Sequence, residues 1–101
     1  MVAVTAMERT EFEASLAQDR MPDGLPEALA VLWLDAKGDW DEAHEVAQAI
    51  DGHTGSRLHA YLHRKVGDLA NAKYWYRRAG VTMPVTTLDE EWRALVAAST
   101  E

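Results

Sequence analysis

Two short turns, Gly38-Asp39 and Gly67-Asp68, constrain the fold of this chain more than any other feature of its sequence. Each turn follows one helix-forming segment and precedes another. Glycine ends a helix because it adopts the left-handed conformation easily, and aspartate accepts a hydrogen bond from a free N–H group of the next helix. A connection this short makes consecutive helices antiparallel neighbours. The sequence therefore predicts two helical hairpins, within residues 26–51 and 56–80.

Further helix boundaries follow from the capping chemistry along the chain. In a capping box, a side chain and a glutamate three residues later bond to each other's backbone N–H, and this spacing occurs at Thr5/Glu8, Asp39/Glu42 and Thr87/Glu90. Pro26 suits a first helical turn, whereas Gly52 and Gly80 suit helix ends. We expect six helices, at about residues 6–18, 26–37, 40–50, 56–66, 69–79 and 88–99. The β-prone segment 81–87 contains Pro84, which disfavours a strand, so an all-α fold is expected.

Composition excludes several classes of protein. A chain of 101 residues suits one domain, here residues 1–101, with a single core. The absence of cysteine excludes disulfides and cysteine-ligated zinc. The N-terminus lacks the basic region of a signal peptide, and no apolar run approaches the ~20 residues of a membrane span. We therefore expect a cytoplasmic protein with no membrane partner. No nucleophilic triad or phosphate-binding loop is present, so a non-enzymatic role is favoured.

Charge is distributed unevenly along the chain. Residues 1–51 contain three basic and twelve acidic residues, whereas residues 52–80 contain six basic residues and Asp68 as the only acidic one. The acidic first half would repel phosphates, so nucleic acid is not an expected partner. One interpretation is that the basic segment pairs with acids of the same chain. The other is that it binds an acidic partner surface.

The two hairpins share a pattern at an offset of 29 residues. Aligning Gly38 with Gly67 also aligns Ala43 with Ala72, and both hairpins fit L-x8-G-D-(W/L)-x-x-A. This pattern resembles the tetratricopeptide repeat family, and KYWYRRAG at 73–80 resembles the end of Sel1-like repeats. The resemblance covers about residues 26–80, although tetratricopeptide repeats are usually ~34 residues long. It implies a TPR-like binding scaffold in which the helix at 88–99 caps the stack. The stretch HRKVGDLANAKYWYRRAG also resembles small uncharacterised bacterial helical proteins.

The helix at 69–79 combines a core stripe with a candidate binding patch. Positions 72, 75, 76 and 79 share one helical face, which places Trp75 and Tyr76 in the core. Tyr74 lies off this stripe among polar and basic residues, where arginine would stack on its ring and bind a carboxylate. We therefore predict that the second hairpin binds a protein partner with an acidic surface through six residues: His59, His63, Asn71, Tyr74, Arg77 and Arg78. Apolar surface left on two hairpins would also permit a homodimer.

His59 and His63 suggest a second kind of site. They are four residues apart on a predicted helix, which is the spacing of two imidazoles that bind one metal ion. No glutamate follows His59, so the zinc-protease motif is absent, and a third ligand would have to come from His44 or His53. The pair would otherwise line a groove or bond to backbone carbonyls. The first functional hypothesis is thus a protein-interaction module without a cofactor, and the second is a ligand- or divalent-metal-binding protein, or an enzyme, centred on His59 and His63.

Overall fold

The computed structural model describes residues 8–100, and within that range it contains six α-helices and no strand. The helices are α1 (Arg9–Ser15), α2 (Glu27–Ala36), α3 (Trp40–Gln48), α4 (Gly52–Lys65), α5 (Leu69–Arg78) and α6 (Leu88–Ser99). The all-α prediction is confirmed, and α6 has the expected bounds. Helix α4 begins earlier than the expected residue 56, and α1 is shorter than expected. The predicted cap at Thr5 lies outside the described residues.

The turns of the α2–α3 and α4–α5 hairpins have the same geometry. Gly38 and Gly67 adopt positive φ angles of 85° and 82°. The backbone N–H groups of Asp39 and Asp68 then bond to carbonyls of the preceding helix, at 2.9 and 3.0 Å. Each of these aspartates also accepts a hydrogen bond from a backbone N–H in the first turn of the next helix. The shared Gly-Asp sequence thus produces the same helix stop and helix start twice.

Helix α6 begins with the complete capping box that the sequence predicts. The Thr87 hydroxyl accepts from the Glu90 N–H at 3.1 Å, and the Glu90 carboxylate accepts from the Thr87 N–H at 2.9 Å. The backbone bond to Thr87 is the main reason that the pKa of Glu90 is lowered. At Asp39 only the first half of this exchange forms, with the Glu42 N–H as donor at 3.3 Å.

The main core lies where α6 crosses α2 and α4. Its fully buried large side chains come from four helices: Phe12, Leu29, Val31, Leu32, Leu58, Leu62 and Val96. Trp92 of α6 donates to the Leu32 carbonyl at 3.1 Å, which holds α6 against α2. The helix expected to cap the repeat stack therefore packs mainly across the first helix of each hairpin. No helix within residues 8–100 has the length and apolar character that crossing a membrane requires.

Two buried carboxylates tie these helices together. Glu91 of α6 accepts from Arg64 at 2.7 Å and from the Tyr76 hydroxyl at 2.6 Å. Asp35 of α2 accepts from the Tyr61 hydroxyl and from Lys65, both at 2.8 Å. Both carboxylate side chains are almost fully buried, so these partners offset the cost of removing the charges from water.

Candidate metal centre

Three helices bring five aromatic rings into one group between the hairpins. Trp40 and His44 are one turn apart on α3, and His59 and His63 are one turn apart on α4. Trp75 of α5 completes the group by stacking on His59, with ring centroids 4.1 Å apart and planes 11° apart. We call His44, His59 and His63 the histidine cluster.

The rings of the histidine cluster meet at close range. His59 and His63 are stacked, with centroids 4.9 Å apart and an interplanar angle of 16°. His44 approaches both edge-on, at centroid distances of 4.5 and 5.2 Å. The Nε2 atoms of His44 and His59 are 2.9 Å apart, and one ring nitrogen from each histidine lies within 4.8 Å of the others. The donor atoms of two ligands on one tetrahedral zinc ion are about 3.4 Å apart. This separation lies between the 2.9 Å of the His44–His59 contact and the 4.8 Å that bounds the three nitrogens.

Trp40 fixes the position of His44. The indole N–H of Trp40 donates to the Leu62 carbonyl at 2.9 Å, so α3 is held against α4 beside the histidines. The Trp40 ring stacks on His44, with centroids 4.9 Å apart and planes 15° apart. On the opposite side of the group, Trp75 covers His59. The two tryptophans restrict the ring rotations of the outer histidines and so pre-organise the cluster.

Burial keeps His44 and His59 in the neutral form that a metal ion would require. The His59 residue is 6% exposed, and this burial, followed by His44 and His63, lowers the pKa of His59 to about 4. Burial and then His63 also lower the pKa of His44, against the opposing effect of Asp41 and Glu45. Both imidazoles are therefore neutral at pH 7. A neutral imidazole has a free lone pair on one nitrogen, which is the state that a metal ion requires.

His63 lies beside an acidic residue. Its Nδ1 is buried, lacks a hydrogen-bond partner, and lies 3.6 Å from Oδ2 of Asp68. The same Asp68 oxygen accepts from the side-chain amide of Asn71 at 3.1 Å, which holds the carboxylate in place. A proton on Nδ1 would face the carboxylate and leave the Nε2 lone pair available for a metal. Metal-ligating histidines are commonly oriented in this way by a second residue.

The cluster offers three nitrogen ligands and no carboxylate or thiolate within the described residues. In a tetrahedral site, three protein ligands leave one position for water or another small ligand. Without a metal, the 2.9 Å contact between His44 and His59 requires one Nε2 to donate and the other to accept. A metal ion would replace that proton as the shared centre.

The structure brings together His59 and His63, which the sequence pairs, and adds His44 as the third member. His53, the other histidine considered from the sequence, is exposed and lies outside the cluster. The four-residue spacing of Trp40 and His44 was the available sequence signal, because it puts both rings on one face of α3. Which helix that face would meet depends on packing, and the sequence pattern does not state it.

The other four predicted binding residues lie on α5 in different surroundings, and of these Arg78 lines a cleft together with His59. Asn71 bonds to Asp68, as described above. Tyr74 and Arg78 are neighbours, with an Arg78 N–H group 3.5 Å from the Tyr74 hydroxyl and the guanidinium 5.8 Å from the ring centroid. Arg77 lies beside Lys73 along a different cleft. Trp75, expected in the core, is half-buried at the edge of the histidine cluster.

The basic segment divides into paired and unpaired charges. Arg64 and Lys65 form ion pairs with the buried Glu91 and Asp35, in agreement with the interpretation of internal pairing. Lys73, Arg77 and Arg78 are exposed and form no ion pair with any residue of the described range 8–100. Internal pairing therefore accounts for Arg64 and Lys65 of α4, but not for Arg57 of the same helix or for the basic residues of α5.

No protein-family model matches the chain, and comparisons with curated proteins and with solved structures found no match. The resemblance to tetratricopeptide and Sel1-like repeats thus remains a prediction based on the hairpin pattern.

Proposed function

We propose that this protein binds one transition-metal ion through His44, His59 and His63. The observation that carries this proposal is the convergence of one ring nitrogen from each histidine to within 4.8 Å, from two different helices. The low pKa of His59 supports it because it keeps that imidazole neutral, and a proton on His63 Nδ1 facing Asp68 would leave the Nε2 lone pair of His63 available.

The ligand chemistry narrows the choice of metal. Imidazole suits Zn²⁺, Cu²⁺ and Ni²⁺, whereas Mg²⁺ and Ca²⁺ prefer oxygen ligands. Affinity for first-row divalent ions rises toward copper at such sites, so the ion bound in a cell also depends on metal supply. Zn²⁺ is the first probe to test because it accepts three nitrogens and an exchangeable fourth ligand.

A metal at this position would also link the two hairpins. His44 belongs to α3 of the first hairpin, and the other two ligands belong to α4 of the second. An ion that binds only the folded chain stabilises it according to its affinity and concentration. Zinc should therefore raise the melting temperature as well as bind.

Isothermal titration calorimetry of chelator-treated protein with Zn²⁺ tests this proposal. Wild-type protein should bind one equivalent, and His44→Ala and His63→Ala should each weaken binding by at least about tenfold. His53→Ala is the matched control because His53 is a histidine of α4 outside the cluster. Equal zinc affinity in wild type, His44→Ala and His63→Ala would refute the assignment.

A second function, binding of an acidic protein surface by α5, is favoured by its unpaired charges. Lys73, Arg77 and Arg78 have no acidic partner within residues 8–100, and Tyr74 is 46% exposed. If these groups bind such a partner, the double change Arg77→Gln/Arg78→Gln should abolish its capture and leave the melting temperature unchanged. Capture should also weaken as salt concentration rises. A double variant that retains the partner would exclude these arginines from the interface.

The predicted homodimer is a separate proposal, and sedimentation equilibrium would test it directly. A single species at the monomer mass of 11.3 kDa at all concentrations would exclude the dimer.

A further inference from the structure

A cleft of about 300 Å³ lies between the α3–α4 connection and α5, next to the histidine cluster. Polar and aromatic side chains line most of it: Gln48, Asp51, Ser56, His59, Trp75 and Arg78. Gly55 also lines the cleft and is buried next to the connection. A Cβ atom at that position would lie 1.8 Å from the Ile50 carbonyl oxygen, so only glycine permits this approach of the connection to α4.

The cleft contains one side chain of each charge, and neither is neutralised by the other. Asp51 and Arg78 both line it, yet they form no ion pair with each other or with any other residue in the described part of the chain. Asp51 precedes α4, but its side chain makes no capping hydrogen bond. Arg78 is positioned by its contacts with aromatic rings, with the guanidinium 5.5 Å from the Trp75 centroid. Each charge is therefore available to a ligand.

We propose that this cleft binds a small zwitterion, namely a free α-amino acid. The carboxylate of the ligand would bind the Arg78 guanidinium, which matches carboxylates through two parallel hydrogen bonds. Its ammonium group would bind the Asp51 carboxylate. Gln48 and Ser56 also line the cleft and supply neutral hydrogen-bonding groups.

The remaining walls select the side chain of the amino acid. Ala47, Ile50 and Trp75 provide the apolar part of the lining. A cleft of about 300 Å³ is at the lower end of the range for small-molecule sites, which suits an amino acid better than a peptide or a nucleotide. A ligand with an aliphatic side chain would cover this apolar lining, so leucine should bind more tightly than glycine.

This site is separate from the proposed metal site, although His59 contributes to both. His44 and His63 do not line the cleft. Loss of zinc binding in His44→Ala should therefore leave amino-acid binding unchanged, and the two proposals can fail independently.

Amide chemical shifts of ¹⁵N-labelled, metal-free protein titrated with L-leucine test the proposal. The backbone amides of Gly52, Gly55 and Ser56 should shift with saturation at millimolar leucine. Acetate and methylammonium, which carry one charge each, should bind at least about tenfold more weakly than leucine because each leaves one charged side chain without a partner. Arg78→Gln and Asp51→Asn should each weaken leucine binding about tenfold or more, since each removes a charge-assisted hydrogen bond.

Arg77→Gln is the matched control, because Arg77 is an exposed arginine of α5 that does not line the cleft. It should bind leucine as the wild type does, and circular dichroism of all three variants should show unchanged helix content. The proposal is overturned if leucine gives no saturable shift at these amides, if acetate binds as tightly as leucine, or if Arg78→Gln retains wild-type affinity.

Discussion

The hydroxyl of Tyr76 is a sensitive point of the fold because it reaches a buried carboxylate. Tyr76 is 1% exposed, and its hydroxyl donates to Oε2 of Glu91 at 2.6 Å. Glu91 is 2% exposed, and its other partner is Arg64 at 2.7 Å. The change Tyr76→Phe keeps the ring and removes only the donor, so one oxygen of a buried carboxylate would lose its protein partner.

The size of the effect follows from this geometry. Hydrogen bonds to charged groups contribute about 1.5–3 kcal/mol, and an unpaired buried acceptor retains its desolvation cost. We expect Tyr76→Phe to lower the free energy of unfolding by about 2 kcal/mol. For a chain of this size, that corresponds to a decrease of roughly 10 °C in the melting temperature.

Urea unfolding followed by circular dichroism measures this change, with Tyr74→Phe as the matched control. Tyr74 is 46% exposed, and its hydroxyl has only a 3.5 Å contact with Arg78, so its loss should change stability by less than about 0.5 kcal/mol. The dependence of the unfolding free energy on urea should be the same in all three proteins. A Tyr76→Phe variant as stable as Tyr74→Phe would show that the bond to Glu91 does not hold α5 to α6.

Two further predictions concern a turn and the response to acid. Gly67→Val should lower the free energy of unfolding by about 1–2 kcal/mol in the same urea assay, because a β-branched residue is strained at the φ of 82°. An unchanged free energy of unfolding in this variant would contradict the turn geometry. The free energy of unfolding of metal-free protein, measured at several pH values, should fall as the pH decreases from about 6.5 toward 4. The pKa of His59 is about 4 in the folded chain, so the unfolded chain takes up this proton at a higher pH than the folded chain does. His59→Gln should reduce this pH dependence, and an identical dependence in the variant would contradict the assignment to His59.

The sequence predicts local structure well where backbone chemistry decides it. The glycine–aspartate turns at Gly38 and Gly67 appear as expected, because a left-handed residue and a following cap act within a few residues. The predicted start of α4 at residue 56 is wrong, because local backbone preference does not decide where this helix begins. The segment Gly52–Ser56 is rich in poor helix formers, and packing against the preceding connection makes it helical despite that preference.

Tertiary arrangement could not be predicted from the same patterns. Glu91 lies in the acidic first turn of α6, where a carboxylate is explained by the helix dipole alone, yet it is buried between Arg64 and Tyr76. The position of α6 across both hairpins depends on such contacts between distant residues. His44 likewise joins the histidine cluster only because α3 packs against α4. Helical spacing pairs His59 with His63, whereas the structure is needed to choose His44 rather than His53 as the third member of the cluster.

X-ray absorption at the zinc edge of protein loaded with one equivalent of Zn²⁺ tests the central claim most directly. The proposed centre predicts three imidazole nitrogens at about 2.0–2.1 Å and one additional light-atom ligand. In His44→Ala, the same measurement should show fewer imidazoles, whereas His53→Ala should match the wild type. A wild-type spectrum with six oxygen neighbours, or with at most one imidazole, would contradict a metal centre formed by His44, His59 and His63.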